Sequence, residues 1–236
     1  MMRLVFQHSI AKFREEPDLN EDCYWPHRLF SKGPFLLSDG ASESYDARRW
    51  SRLLVANYLK RPEFDATWIA DVTQNYAQLY QNVQLSWSQQ AAFDRGSFAT
   101  LLVLNLDEQS SKVHLLAVGD SIAVLGDSAT IRDSFPYSSA NEFELHPLLI
   151  STRPERNTEF FQNGGKTTQT SWSLEGVQGA CILAMTDALG AWLLSDPARY
   201  AILSRIKSNA EFIDLIEAER AAARIRRDDT TLLVIK

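Results

Sequence analysis

Four times in 236 residues an apolar, strand-like run stops at an aspartate flanked by small residues. The four are Phe35-Leu36-Leu37-Ser38-Asp39-Gly40, Leu115-Leu116-Ala117-Val118-Gly119-Asp120-Ser121, Ile182-Leu183-Ala184-Met185-Thr186-Asp187-Ala188 and, leading into the last strand, Arg227-Asp228-Asp229-Thr230. A carboxylate at such a point sits where a buried sheet meets its rim, and an unpaired charge there is costly. It must cap a turn or helix, pair with a cation or bind a metal. Taken singly, each reads most simply as a turn or N-cap residue. Several at the ends of neighbouring strands are different, because carboxylates within a few ångströms of one another repel and demand a cation. Oxygen ligands with no His or Cys nearby favour a hard ion, Mg²⁺ or Mn²⁺, over zinc. Asn20-Glu21-Asp22 adds two further carboxylates.

The elements that must hold these residues follow from periodicity. Leu4 to Phe6 and Pro34 to Leu37 read as short strands. Trp50, Leu53, Leu54 and Tyr58 fall at helical spacing over Ala47 to Lys60. Trp68, Val72, Tyr76, Leu79, Val83 and Trp87 predict one long helix over Ala66 to Phe93 with this stripe in the core. Period two then takes over at Ser97 to Leu106, Lys112 to Val118, Ile122 to Leu125 and Thr130 to Phe135, with turns at Asp107 to Ser111 and Gly126-Asp127-Ser128, which predicts an antiparallel meander. Pro136 to Gln178 reads as irregular with a hairpin, followed by a strand at Ala180 to Met185. Ser195-Asp196-Pro197 opens a helix to about Lys207, and Ser208 with Glu211 forms a capping box opening another to Arg224. Thr230 to Ile235 closes the chain as a strand. With no repeat, linker or composition break, residues 1–236 read as a single α+β domain with helices outside a β core.

Composition narrows the class. The chain is 45% hydrophobic and 23% charged, enough to bury a sizeable core. Its 10 Gly and 8 Pro exclude collagen-like sequences, and 2 Cys exclude a disulfide scaffold or a zinc ribbon. A net charge of −6 from 30 acidic and 24 basic residues argues against a nucleic-acid partner. The arginine clusters at 48–52 and 224–227 read as solvated helix faces and a helix C-terminus. No apolar run approaches the roughly 20 residues of a bilayer span, and no export signal opens the chain, so a soluble cytoplasmic protein without membrane contact is expected.

In order, Asn20-Glu21-Asp22, Ser38-Asp39-Gly40, Gly96-Ser97-Phe98-Ala99-Thr100, Val118-Gly119-Asp120-Ser121, Thr186-Asp187-Ala188-Leu189 and Arg227-Asp228-Asp229-Thr230-Thr231 together resemble the metal-dependent protein phosphatases of type 2C in their compact bacterial form. The resemblance spans nearly the whole chain. It implies a four-layer αββα sandwich, two mostly antiparallel sheets flanked by helix pairs, with two Mn²⁺ or Mg²⁺ ions at one end. It further implies that Asp39 bridges both ions and the Gly40 carbonyl binds one. Asp187 and Asp228 would bind the other, Glu21 would act directly or through water, and Asp22 and Asp229 would support them. Asp120 and Ser121 would be structural, shaping a turn. The implied reaction is hydrolysis of phosphoserine or phosphothreonine in a protein by a metal-bridging water, catalysed through Asp39, Asp187 and Asp228 with no protein nucleophile.

The chain departs from that family's pattern in several places. Ala41-Ser42-Glu43 replaces a glycine-rich continuation, and Glu16-Pro17-Asp18-Leu19 stands where a phosphate-binding Arg is usual, leaving Arg14 as the nearest candidate. In the stretch Phe143 to Pro147, Glu144 is the nearest counterpart of a residue that helps hold a third ion. Asp187-Ala188 replaces Asp-Gly and Asp228-Asp229 replaces Asp-Asn. Asn163-Gly164-Gly165-Lys166-Thr167-Thr168 reads as a turn rather than a phosphate loop, since Phe160 stands where the first Gly belongs. The four His show no metal-binding spacing, and Cys23 reads as a structural thiol. Two functions are therefore carried forward: an active phosphatase, and a catalytically impaired phosphatase-like module that regulates a protein partner.

Overall fold

Twelve strands and six α-helices form among the described residues, 2–127, 130–161 and 169–236 of this computed structural model. The strands are β1 (Leu4–Ile10), β2 (Cys23–Trp25), β3 (Phe35–Ser38), β4 (Phe98–Ala99), β5 (Leu101–Asp107), β6 (Lys112–Val118), β7 (Ile122–Gly126), β8 (Ile131–Phe135), β9 (Ile150–Ser151), β10 (Gln169–Ser173), β11 (Cys181–Met185) and β12 (Thr230–Ile235). The helices are α1 (Ala47–Lys60), α2 (Ala66–Tyr80), α3 (Trp87–Arg95), α4 (Asp187–Ser195), α5 (Tyr200–Leu203) and α6 (Asn209–Ala221). Among the described residues two five-stranded antiparallel sheets form, in the orders β1-β12-β11-β7-β8 and β10-β6-β5-β3-β2, beside a small β4-β9 pair.

Side-chain alternation explains the layering. In β12, Leu233 and Ile235 face the opposite sheet while Leu232 and Val234 face helices, so every residue of the strand is buried. The inter-sheet core joins Phe35, Leu37, Leu102 and Leu104 to Leu125, Ile182 and Ala184. On the outer face of one sheet, Trp50, Leu54 and Tyr58 of α1 and Trp68, Val72 and Tyr76 of α2 cover Leu36, Leu101 and Val103. On the other, Leu189, Trp192 and Leu193 of α4 and Phe212 and Ile216 of α6 cover Phe6, Ile122 and Leu183. The αββα sandwich that the family resemblance implies is therefore present.

Several elements differ from the sequence expectation. The long helix breaks into α2 and α3 because Ser86 caps a new start: its amide donates to Gln89 Oε1 at 2.9 Å, the return half of a capping box. As a result Leu79, Val83 and Trp87 are exposed, Trp87 by 88%, and do not belong to the core. The expected meander is shared between sheets, β5-β6 in one and β7-β8 in the other, with the chain crossing at Gly119-Asp120-Ser121. Helix α4 carries no amphipathic signature in the sequence because it is buried on several sides and has no polar stripe. The helix expected from Ser195 to Lys207 shrinks to a 3-10 turn and α5, while α6 begins after Ser208 as expected. Strand β10 pairs with β6 inside the stretch expected to be irregular. The turn at Asn163 to Thr168 and Ser128 of the Gly126-Asp127-Ser128 turn lie outside the described residues. No helix of the described residues is long and apolar enough to cross a membrane.

Gly119 permits the crossing. Its φ is +93°, and a Cβ there would lie 2.6 Å from Thr100 Cγ2. Gly119→Ala is expected to cost roughly 1–3 kcal/mol through strain and overpacking, read as a lower urea midpoint with an unchanged slope.

Candidate functional site

The sheet ends deliver the carboxylates to one place. Asp39 follows β3, Asp120 lies in the β6–β7 crossing, Asp187 opens α4 directly after β11, and Asp228 precedes β12. All four line one cleft of about 590 Å³ together with Gly40. Asp39 is held through its backbone: its amide donates to Thr100 Oγ1 at 2.8 Å, and its carbonyl accepts from the Thr100 amide at 2.8 Å. Thr100 Oγ1 also shares a hydrogen bond with Ser121 Oγ at 2.7 Å, so one buried hydroxyl ties the Asp39 turn to the Asp120 turn. Gly40 is small because the chain runs against α1, where a Cβ would stand 2.8 Å from the Ala47 carbonyl oxygen. Asp187 sits in the first turn of α4, where free amides and the helix dipole favour a carboxylate; its Oδ1 accepts from the Ala188 amide at 2.5 Å.

Beneath the cleft lies a second tier. Asp22 is 8% exposed; its Oδ2 accepts from Thr231 Oγ1 at 2.5 Å, while its Oδ1 is buried with no hydrogen-bond partner. Asp229 is a clamp rather than a spare charge, for its Oδ1 accepts from the Lys12 amide at 2.6 Å and its Oδ2 from the Glu21 amide at 2.7 Å. Glu21 opens into an adjoining depression of about 230 Å³, which shares Lys12 and Ser42 with the main cleft. Arg220 of α6, buried, donates to the Ala11 carbonyl at 3.1 Å, to the Asp228 carbonyl and to Thr230 Oγ1 at 3.1 Å. It therefore fixes the backbone on both sides of the site.

Negative charge is in excess here. Burial, then the charges of Asp22, Asp187, Asp120 and Asp228, push the Asp39 carboxyl well above its ordinary range. Burial and the charges of Asp229, Asp187 and Asp228 do the same to Asp22. Asp120 is pushed up to about 7, first by burial and next by Asp187. Asp187 is raised by burial despite the opposing charge of Arg226. Glu21 is raised by burial, with Asp229 and Asp228 adding to it. Among the described residues Asp22, Asp39 and Asp120 have no ion pair, whereas Arg226 pairs with both Asp187 and Asp228.

The donor chemistry fits a hard divalent cation: apart from His146 the metal-ligating side chains of the cleft are carboxylates, and one buried carboxylate oxygen behind it lacks any partner. The side-chain positions are more open than a closed cage, since among the described residues no group of three or more His, Cys, Asp or Glu converges to hold an ion. At Asp187 and Asp228 a guanidinium, that of Arg226, lies against both carboxylates.

The cleft thus gathers Asp39, Gly40, Asp187 and Asp228, with Glu21 beside it and Asp22 and Asp229 behind. Arg14 is exposed and lines neither the cleft nor the depression, and Glu144 is likewise exposed and outside the cleft. The cations that do line it are Lys12, Arg226 and Arg227. Asp120, expected to be structural, is a cleft residue; its position at a strand end was the legible signal. Nothing in the sequence marked Arg220 or Lys12. Cys23 is half-buried, and burial pushes its thiol up to about 11, in keeping with a structural role.

Neither a known family model nor a curated protein sequence matches the chain. Solved structures do. The photosystem II phosphatase PBCP superposes with a TM-score of 0.63 at 14% identity, covering 100% of this chain and 98% of that one. The Mycobacterium tuberculosis serine/threonine phosphatase PstP/Ppp gives 0.62 at 16% identity, covering 100% and 98%. The catalytic domain of the serine/threonine phosphatase PstP, in complex with two manganese ions, gives 0.58 at 16% identity, covering 100% and 99%. The chain therefore has the fold of the metal-dependent serine/threonine phosphatases.

Two expectations follow from the site's geometry. Asp229→Ala strips the Lys12 and Glu21 amides of their acceptor and should cost at least ~1–3 kcal/mol in chemical denaturation. Asp39→Asn removes a repelled charge, so in chelator the melting temperature should rise by roughly 2–8 °C, the shift that ~1–2 kcal/mol produces in a chain of this size. A carboxylate kept for stability would show a fall.

Proposed function

We propose that this chain is a metal-dependent phosphoprotein phosphatase acting on phosphoserine or phosphothreonine in a protein substrate. The observation that carries this reading is the convergence of Asp39, Asp120, Asp187 and Asp228, from four separate strand ends, in one cleft of a phosphatase fold. Natural folds retain such mutual repulsion chiefly where function requires it.

Asp39, Asp187, Asp228, the Gly40 carbonyl and Glu21 are the groups that would hold two Mn²⁺ or Mg²⁺ ions. Such ions, when bound, acidify a water for in-line attack on phosphorus and offset the charge that develops. The protein's own part is positional. The backbone bonds to Thr100 and the clamp by Asp229 keep the donor loops in register before any ligand arrives. Lys12 and Arg227, on the cleft wall, are placed to meet phosphoryl oxygens in the role that Arg14 was expected to fill. Ser42 and Glu43 form a polar rim at the cleft, which suits a peptide backbone more than an apolar ligand. No side-chain nucleophile is needed, and Cys23, with its thiol held neutral, does not offer one.

A second reading, an impaired phosphatase-like module that regulates a protein partner, draws on the engagement of Asp187 and Asp228 by Arg226. The two separate in one experiment: hydrolysis of an aryl phosphate and a phosphothreonine peptide with and without Mn²⁺. For the enzyme, metal-dependent release should fall by at least ~10²-fold in Asp39→Asn and in Asp187→Asn, with both variants folded. Retained turnover in either variant would remove that residue from the site. No release by a wild-type protein that binds Mn²⁺ in calorimetry would select the regulatory module.

A further inference from the structure

Arg226 engages two of the carboxylates that would hold a divalent cation. Its Nη2 alone contacts both carboxylates, Asp187 Oδ2 and Asp228 Oδ2, the latter at 3.0 Å. Mg²⁺ bound by oxygen sits roughly 2.0–2.1 Å from its ligands. It would claim the same lone pairs and would face a like charge within a few ångströms, so ion and guanidinium cannot share these oxygens in this arrangement.

The position is built for exchange rather than permanence. The Arg226 side chain is 61% exposed, whereas Asp187 and Asp228 are 13% and 26% exposed, so the cation can leave without disturbing the core and the anions cannot. Its neighbour Arg227 lines the same cleft with no ion pair among the described residues, which makes the contact of Arg226 specific rather than a general property of a basic loop. Behind the pair, the buried Oδ1 of Asp22 has no partner, so one guanidinium does not satisfy the cluster and acceptor capacity for a further cation remains.

We propose that Arg226 is a tethered counter-cation that neutralises Asp187 and Asp228 in the metal-free protein, and that a divalent ion must displace it to bind there. The displaced guanidinium swings toward the mouth of the cleft, beside Arg227 and Lys12, where a planar fork can take two phosphate oxygens. This inference rests on the metal-dependent reading above and concerns how that metal site is filled. It gives the protein a metal-free form that does not collapse under its own negative charge, and it sets a higher threshold for metal occupancy.

The test is Mn²⁺ titration by calorimetry, without substrate, on wild type, Arg226→Gln and Arg227→Gln, beside thermal melting in chelator. Arg226→Gln should bind Mn²⁺ at least tenfold more tightly than wild type, because it loses the competitor. Arg227→Gln, which removes the same charge without the contact, should change affinity less than threefold. In chelator Arg226→Gln should melt below Arg227→Gln, and saturating Mn²⁺ should reverse that order. Equal shifts in the two variants, or weaker binding in Arg226→Gln, would overturn displacement; if Mn²⁺-dependent hydrolysis persisted in that case, the phosphatase reading would stand without it. No Mn²⁺ binding by any of the three proteins would overturn both.

Discussion

The repulsion among carboxylates at one end of the sandwich is the constraint on which the rest of the structure depends. Asp22, Asp39, Asp120, Asp187 and Asp228 act on one another strongly enough that burial and mutual charge raise Asp22, Asp39, Asp120 and Asp187 together. A chain cannot place that much negative charge together and let it relax, because relaxation would move the loops apart and dissolve the site. The loops of Asp39, Asp120, Asp22 and Asp187 are accordingly pinned by groups that carry no full charge. Thr100 pins the Asp39 turn through two backbone contacts and reaches Ser121 beside Asp120. Thr231 meets Asp22, and helix α4 receives Asp187 at its positive end.

Two of the pins are themselves ionic, and they work from behind the cleft. Asp229 gives both oxygens to backbone amides of the N-terminal segment, which joins the first and last strands at the level of the site. Arg220 reaches from α6 through the same region and takes the carbonyls of Ala11 and Asp228. The residue pair Asp228-Asp229 therefore divides the labour: one side chain faces the cleft and the next is consumed by the scaffold. The additional acidic residue at that place has its oxygens satisfied by two backbone amides where it is buried, while its charge still adds to the repulsion felt by Asp22 and Glu21.

Sandwich architecture brings these points together for a simple reason. Antiparallel strands paired in two stacked sheets end at common rims, so loops that are distant in sequence share one edge. Asp39 and Asp228 are 189 positions apart and Asp120 lies between them, yet all line one cleft. The crossing at Gly119 is what admits Asp120: it carries the chain from one sheet to the other at the rim, where a residue with a side chain would meet Thr100. The resemblance assigned Asp120 to a structural turn, and the turn is real, but the crossing also points that turn at the site.

Strand runs, their terminal aspartates, helix α1 and the closing strand were legible in the residues themselves, because alternation and the 3.6 period are local properties that survive without a tertiary partner. The αββα layers and the carboxylates that the cleft gathers were anticipated by the family resemblance that six ordered segments carry, not by periodicity, which reached only helices outside a β core. Elements whose form depends on what surrounds them were not legible. Helix α4 has no polar face to betray it, β10 exists by pairing with β6, and the stripe through Leu79, Val83 and Trp87 fails because a local cap at Ser86 outweighs its periodicity. Cations were the least legible of all. Arg14 was a neighbour in sequence and lies on the surface, while Lys12, Arg220 and Arg226 reach the site along paths set by packing. A long, flexible basic side chain leaves no periodic trace, and its partner is decided by which carboxylate the folded chain places within reach.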